Sequence, residues 1–275
     1  MAVDGDSTKN QLIDALRDVW TSIATLGHDL TPVEWATPSR LPGWTVQDLV
    51  SHILGTESML AGRPQPTVEV PEADHLRNDI GKFNEAWIVE RRDRPGAEVL
   101  AEFEEITSER LAALERMSPA QFDEEAWTPA GHATYGRFMQ IRVFDSWMHE
   151  QDLRDAVDRP GHLTGPAVDV SMAEVETALG YAVGKRGQAP AGSSVALVVT
   201  APERRRYDVV VSDRARVSPT PTISPTATVS TDLATFVALV GGRIDPAAAL
   251  RDGRVELSGD AELSERVATH LSFVI

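Results

Sequence analysis

The chain has 275 residues, of which 42% are hydrophobic and 25% are charged, and its formal net charge at pH 7 is −16. These proportions are typical of a globular protein with one large or two modest domains. The negative charge argues against nucleic acid and anionic membrane surfaces as partners, because both favour basic protein faces. The chain contains no cysteine, which excludes disulfides, thiolate zinc sites and a cysteine nucleophile.

Residues 1–160 are predicted to form a series of amphipathic helices. In the first helix, apolar residues recur at helical spacing, namely Leu12, Ile13, Leu16, Val19, Trp20, Ile23 and Leu26. A short helical turn is predicted at Thr31-Pro32, because a capping residue followed by proline starts a helix, and this turn places Trp35. The next helix is predicted to begin after Thr45, which forms a capping box with Asp48.

Three further segments complete the predicted helical region. A helix is predicted at about 73–92, and Pro95-Gly96 separates it from another amphipathic helix. A loop is predicted for 118–133 and a last helix for 134–157. Long amphipathic helices in series are typical of a helical bundle.

The helix at 134–157 carries ionisable residues on its apolar face. Asp145, His149 and Asp152 share this face, and Arg142 lies at its edge, among the apolar residues Phe138, Ile141, Met148 and Ala156. A carboxylate and an imidazole that face a core are costly unless they are paired or bind a metal. The pattern therefore indicates a divalent metal site, although an Asp–His pair at this spacing also occurs as a structural hydrogen bond.

The chain after Gly161 alternates helices and strands. A helix at 166–183 is followed by a glycine-rich linker or hinge at 184–193. The remaining predicted elements are strands at 195–200, 207–211 and 253–257 and helices at 231–240 and 260–271. The segment 216–229 is rich in proline and threonine and is predicted to be an irregular edge or exposed loop, because proline cannot occupy a central strand. This is an α+β domain of about 90 residues.

His52, Asp145 and His149 form the candidate metal-ligand set. Three protein ligands leave a coordination position open, as in catalytic zinc sites, and bundles build such sites from facing helices. His52 alone would also be consistent with a half-buried structural histidine. Asp152 is predicted either to orient His149 or to pair with Arg142 or Arg154.

Several segments together resemble the mycothiol-dependent maleylpyruvate isomerase family. The residues that carry the resemblance are LPGWTVQDLVSH (41–52), RVFDSWMHEQD (142–152), TPVEW (31–35), and the segments 232–243 and 253–260. The resemblance implies an N-terminal DinB-like four-helix bundle at 1–160, a helix and linker at 161–193, and a sterol-carrier-like α+β domain at 194–275. It also implies that His52, Asp145 and His149 bind the metal. The family often has glutamate where this chain has Asp145.

The resemblance implies a thiol-dependent enzyme. A metal, with zinc expected first and nickel or iron as alternatives, would hold external mycothiol as a thiolate for isomerisation or S-transfer on a small electrophilic substrate such as maleylpyruvate. Arg142 and Arg243 are candidates for holding an anionic substrate. Two alternatives are a metallohydrolase and a non-catalytic ligand-binding protein in which the metal only stabilises the fold. The N-terminus lacks a signal-peptide pattern, so a cytoplasmic location is expected. The protein is expected to be a monomer or a homodimer.

Overall fold

The computed structural model describes residues 5–74, 76 and 78–274, and the chain divides into two compact units at Ser171 and Met172. The first unit contains the helices α1 (Gly5–His28), α2 (Pro32–Trp35), α3 (Val46–Leu60), α4 (Asp79–Val89), α5 (Gly96–Arg116), α6 (Pro119–Phe122) and α7 (Tyr135–Ala156). The strands β1 (Glu125–Thr128) and β2 (Gly131–Thr134) form a hairpin between α6 and α7.

The four long helices of the first unit form a bundle. Helices α1 and α3 each pack against both α5 and α7. The bundle core contains large apolar side chains that are almost fully buried, among them Leu16, Ile23, Leu49, Ile53, Phe103, Leu114, Met139 and Trp147. This arrangement confirms the predicted helical-bundle fold class, and it brings one face of α3 against one face of α7.

The capping signals are present where the sequence places them. Thr45 Oγ1 accepts a hydrogen bond from the Asp48 backbone N–H, and Asp48 Oδ2 accepts one from the Thr45 N–H at 2.8 Å. Thr31 and Glu34 form the same reciprocal pair before α2. Each box satisfies backbone donors that the first helical turn leaves unpaired.

Two local predictions in the first unit are wrong. The helix predicted at 73–92 is shorter and begins after Asn78, whose side chain accepts a hydrogen bond from the Gly81 N–H at 2.8 Å and so caps it. His75 and Arg77, inside the predicted helix, lie outside the described residues. The segment 118–133, predicted as a loop, contains α6 and most of the β1–β2 hairpin.

The second unit is built around a mixed five-stranded sheet. Helix α8 (Pro166–Tyr181) crosses the division between the units and continues as a π-helical turn, Ala182–Arg186. The sheet has the order β5-β4-β3-β6-β7, in which only β3 and β6 are parallel. Its strands are β3 (Ser194–Val199), β4 (Arg205–Val211), β5 (Ala215–Val217), β6 (Ala227–Thr231) and β7 (Val255–Gly259), and its helices are α9 (Leu233–Val240), α10 (Pro246–Arg251) and α11 (Ala261–Thr269).

The sheet corrects two further predictions. The segment 216–229 does hold an edge strand and an irregular stretch with Pro219, Pro221 and Pro225, but its end enters β6, a central strand. The prolines end before β6 begins, so every residue of that strand has the N–H that ladder pairing requires. The linker predicted from position 184 begins later, because the helical backbone continues to Arg186.

Within the described part of the chain, no helix combines the length and the apolar character needed to cross a bilayer.

Candidate metal centre

Two packed helices of the bundle bring the candidate ligands together. His52 lies on α3, while Asp145 and His149 lie one turn apart on α7. One ligand atom from each residue can be chosen such that all three lie within 4.8 Å of one another. His52 and His149 are buried and Asp145 is half-buried. The structure thus contains a candidate metal-binding triad.

The ligand atoms converge on the Asp145 carboxylate. His52 Nε2 lies 3.3 Å from Asp145 Oδ2, and His149 Nε2 lies 3.7 Å from Asp145 Oδ1. The two imidazole rings meet edge to face, with centroids 4.8 Å apart. Two nitrogens and a carboxylate oxygen form a donor set that suits zinc and other borderline divalent metals.

Asp152 lies beside one of the two imidazoles. Its Oδ2 lies 3.3 Å from His149 Nδ1, and the side chain is almost fully buried. A carboxylate only accepts hydrogen bonds, so the proton of His149 is assigned to Nδ1 and the lone pair to Nε2. Of the two sequence-based alternatives, the contact with His149 is present, while Arg154 instead donates to Glu150 at 2.8 Å.

Arg142 holds the Asp145 carboxylate from the side. Its Nη1 donates to Asp145 Oδ2 at 2.6 Å, and its Nε donates to Glu57 Oε1 at 2.8 Å. The Arg142 side chain is almost fully buried, and its Nη2 has no hydrogen-bond partner among the described residues. The sequence placed Arg142 at the edge of the apolar face, whereas the structure places it inside the bundle.

Glu57 is a site residue that the sequence reasoning missed. It is fully buried on α3, and its Oε2 accepts a hydrogen bond from Arg110 Nε at 3.0 Å, in addition to the bond from Arg142. A signal was present, because Glu57 follows Ile53 by one helical turn and therefore continues the apolar stripe of α3. The same criterion that identified Asp145 on α7 would have found it.

Trp44 packs against both candidate imidazoles. Its ring centroid lies 5.2 Å from that of His52 and 5.9 Å from that of His149. Its indole N–H donates to the buried Glu85 Oε2 at 3.0 Å. Trp44 therefore lies directly beside the triad, in contact with both imidazole rings.

The local electrostatics favour the metal-binding forms of two ligands. Burial lowers the pKa of His52, and the nearby Asp145 carboxylate offsets this only in part. Burial by itself would raise the pKa of Asp145, but the Arg142 guanidinium and the two imidazoles hold that pKa well below its usual range. At neutral pH the site therefore presents a neutral His52 imidazole and an ionised Asp145 carboxylate, the protonation states that bind metals.

The chain matches two family models, one in each part of the sequence. Residues 16–154, which include all three candidate ligands, match the model of the mycothiol maleylpyruvate isomerase N-terminal domain. The chain belongs to this family. Residues 169–266 match the model of the C-terminal domain of the same family.

Solved structures with the same fold include members of the isomerase family. A crystal structure of the mycothiol-dependent maleylpyruvate isomerase matches with 17% identity over 93% of each chain and a TM-score of 0.58. A histidine-to-alanine mutant of that isomerase matches with 17% identity over the same shares of both chains and a TM-score of 0.54. At this identity the likeness establishes the fold. No curated protein sequence matches the chain significantly.

Arg243, the remaining residue proposed from the family resemblance, lies in the second unit. It follows the C-terminal end of α9, and its Nη1 donates to the Gly241 carbonyl at 2.8 Å. Its role in substrate binding stays a prediction.

Proposed function

We propose that this protein is a metal-dependent enzyme that uses mycothiol, a low-molecular-weight thiol, for isomerisation or S-transfer on a small, electrophilic, anionic substrate such as maleylpyruvate. The observation that carries the proposal is the convergence of His52, Asp145 and His149 from α3 and α7 in a chain of this family. The absence of cysteine supports it, because the chain has no thiol of its own.

The donor set is consistent with a divalent metal, most simply zinc. His52 Nε2, His149 Nε2 and an Asp145 carboxylate oxygen would hold it, which leaves a further coordination position for an exogenous ligand. When bound, the metal would lower the pKa of a thiol that binds to it, so that the thiolate nucleophile is available at neutral pH.

The residues around the triad have separate parts in this proposal. Asp152 would orient His149 so that Nε2 faces the metal, and Trp44 would support both imidazoles by packing against them. Arg142 Nη2 is a buried donor without a partner among the described residues, which supports a role in contacting an anionic substrate atom. Arg243 is proposed as a second anion contact on the strength of the family resemblance.

Two reaction outcomes are chemically consistent with this site. The thiolate would add to an electrophilic carbon of a double bond in the substrate and convert that bond to a single bond, about which the adduct can rotate. Loss of the thiol after rotation restores the double bond and gives the isomer. Retention of the thiol, with a proton taken up at the neighbouring carbon, gives the S-transfer product.

An assay with matched histidine variants tests the proposal. The zinc-loaded protein should isomerise maleylpyruvate only when mycothiol is added, and His149→Ala should lose both the metal and the activity. His132→Ala removes an exposed histidine and should retain both. Turnover without any thiol would contradict thiol dependence and favour the metallohydrolase alternative. A metal-loaded protein without turnover on any electrophile tested would favour the ligand-binding alternative.

A further inference from the structure

We infer that Glu57 is a positioning residue for the candidate metal centre: acting through Arg142, it fixes the orientation of the Asp145 carboxylate beside the two imidazoles. The inference deepens the proposed function and rests on it. It assigns a role to a buried charge that does not itself contact the triad.

A continuous chain of hydrogen bonds connects Glu57 to the ligand. Glu57 Oε1 accepts from Arg142 Nε at 2.8 Å, and Arg142 Nη1 donates to Asp145 Oδ2 at 2.6 Å. Because a guanidinium group is planar and rigid, the bond to Glu57 determines where Nη1 points. Asp145 Oδ2 therefore accepts from Arg142 and lies 3.3 Å from His52 Nε2, while Oδ1 faces His149 Nε2 at 3.7 Å.

Glu57 also balances the charge of this cluster. Two guanidinium groups, of Arg110 and Arg142, face two carboxylates, of Glu57 and Asp145. Arg110 is anchored at its other end, where its Nη2 donates to Tyr135 Oη at 2.9 Å. Without the Glu57 charge, the cluster beside the triad would carry an uncompensated positive charge in the bundle interior, which disfavours a dication.

Glu150, a buried glutamate on α7, provides a matched comparison for Glu57 on α3. Glu150 is also fully buried and accepts hydrogen bonds from Arg154 Nε at 2.8 Å and from Ser22 Oγ at 2.6 Å. Among the described residues, Glu150 forms no hydrogen bond or ion pair with a member of the triad; its third partner is His162. If a buried glutamate acts only through stability, the two residues should behave alike toward metal.

The decisive experiment measures zinc affinity by chelator competition in Glu57→Gln, Glu150→Gln and the unsubstituted protein. Both variants should lose stability, because each leaves an arginine without its charged partner. Only Glu57→Gln should weaken zinc binding, by about 10- to 100-fold, the range usual for residues that orient metal ligands. The variant with Arg110→Met added to Glu57→Gln restores the charge balance and should recover part of the affinity.

Arg142→Lys provides a second test that keeps the charge of the cluster. A lysine ammonium cannot reproduce the two-sided contact of the guanidinium, so zinc affinity should again fall. Arg154→Lys, which alters the ion pair with Glu150 on the same helix, should leave the zinc affinity unchanged. Cobalt(II) substitution should show an altered visible absorption spectrum in Glu57→Gln and Arg142→Lys but not in the two controls.

The results separate this inference from the function on which it rests. Zinc affinity in Glu57→Gln equal to that of the unsubstituted protein, or an equal loss in Glu150→Gln, would overturn the positioning role. If the unsubstituted protein binds zinc no better than His149→Ala, the metal centre itself is wrong and the proposed function falls with it.

Discussion

At the scale of single residues, the protonation states of the candidate ligands depend on the side chains that surround them. His52 and Asp145 lie next to each other in the structure, yet they are 93 positions apart in the sequence. Burial by itself would raise the pKa of the Asp145 carboxyl group, and it is the Arg142 guanidinium together with the two histidines that lowers that pKa. An isolated reading of Asp145 or His149 would miss this dependence.

Asp152→Asn tests the outer partner of His149. The amide is a weaker acceptor than the carboxylate and can turn its donor toward Nδ1, so the imidazole should lose its fixed orientation. Zinc affinity should fall by about 10- to 100-fold, as measured by chelator competition. The matched control is Asp155→Asn on the same helix, which removes the partner of Arg40 at the surface. Equal affinities in the two variants would show that Asp152 has no part in metal binding.

At the scale of the elements, close packing and buried polar contacts hold the bundle in register. Gly55 on α3 faces Trp87 of α4, and a Cβ at that glycine would lie 2.5 Å from the Trp87 Cβ. The glycine therefore allows the tryptophan side chain to approach α3 closely. The segment before α8 is tied to the bundle by His162, whose Nδ1 lies 2.6 Å from Glu150 Oε2 and whose Nε2 lies 3.1 Å from Asp18 Oδ2.

Gly55→Ala should destabilise the first unit by about 1–3 kcal/mol, the usual cost of overpacking a core. Helix propensity alone predicts the opposite, a gain of up to about 1 kcal/mol. Gly81→Ala on α4 is the control, because a Cβ there meets its nearest neighbour at an ordinary distance of 3.5 Å. Denaturant unfolding measures both variants. A Gly55→Ala protein as stable as Gly81→Ala would contradict the close approach of Trp87.

His162 should make stability depend on pH. Burial lowers the pKa of His162, but the hydrogen bonds and charges of Glu150 and Asp18 outweigh this and raise it above its unfolded value near 6.5. The folded state then binds more protons than the unfolded state between the two pKa values. The stabilisation is therefore complete below the unfolded pKa and is lost as pH rises through the folded pKa.

The measurement is the free energy of unfolding across that pH window in the unsubstituted protein and in His162→Gln. The fall in stability with rising pH should be smaller in His162→Gln. His28→Gln removes an exposed histidine at the end of α1 and should show the same fall in stability with rising pH as the unsubstituted protein. A pH profile unchanged in His162→Gln would show that the contribution comes from other groups.

At the scale of the whole molecule, two separate units should respond differently to metal. The candidate ligands all lie in the first unit, so zinc should stabilise that unit alone. The stabilisation should reach about 2.7 kcal/mol when free zinc is 100 times its dissociation constant. Differential scanning calorimetry should show one transition moving upward with zinc and back with a chelator. His149→Ala should abolish the shift, and an equal shift of every transition would contradict a site confined to the first unit.

How much the sequence foretold depended on the range of the interactions. The capping boxes at Thr31 and Thr45 and the helical period of α1 are local patterns, and they were predicted correctly. The central position of β6 was missed because its pairing partner β3 lies 32 positions earlier in the chain. The β1–β2 hairpin was missed although its pairing is local, because its strands are only four residues long. The prolines just before β6 led to the prediction of a loop or irregular edge, although the residues of β6 itself favour a strand.

The sequence by itself determined the class of the fold, the polar face of α7 and the residue types of a metal site, since each follows from composition and periodicity within one segment. Only the tertiary structure decided that His52 meets Asp145 and His149, that Arg142 lies inside the bundle, and that Glu57 connects two buried arginines. These contacts arise where α3, α5 and α7 pack together, and the distance between side chains on different helices is set by that packing and not by their positions in the chain.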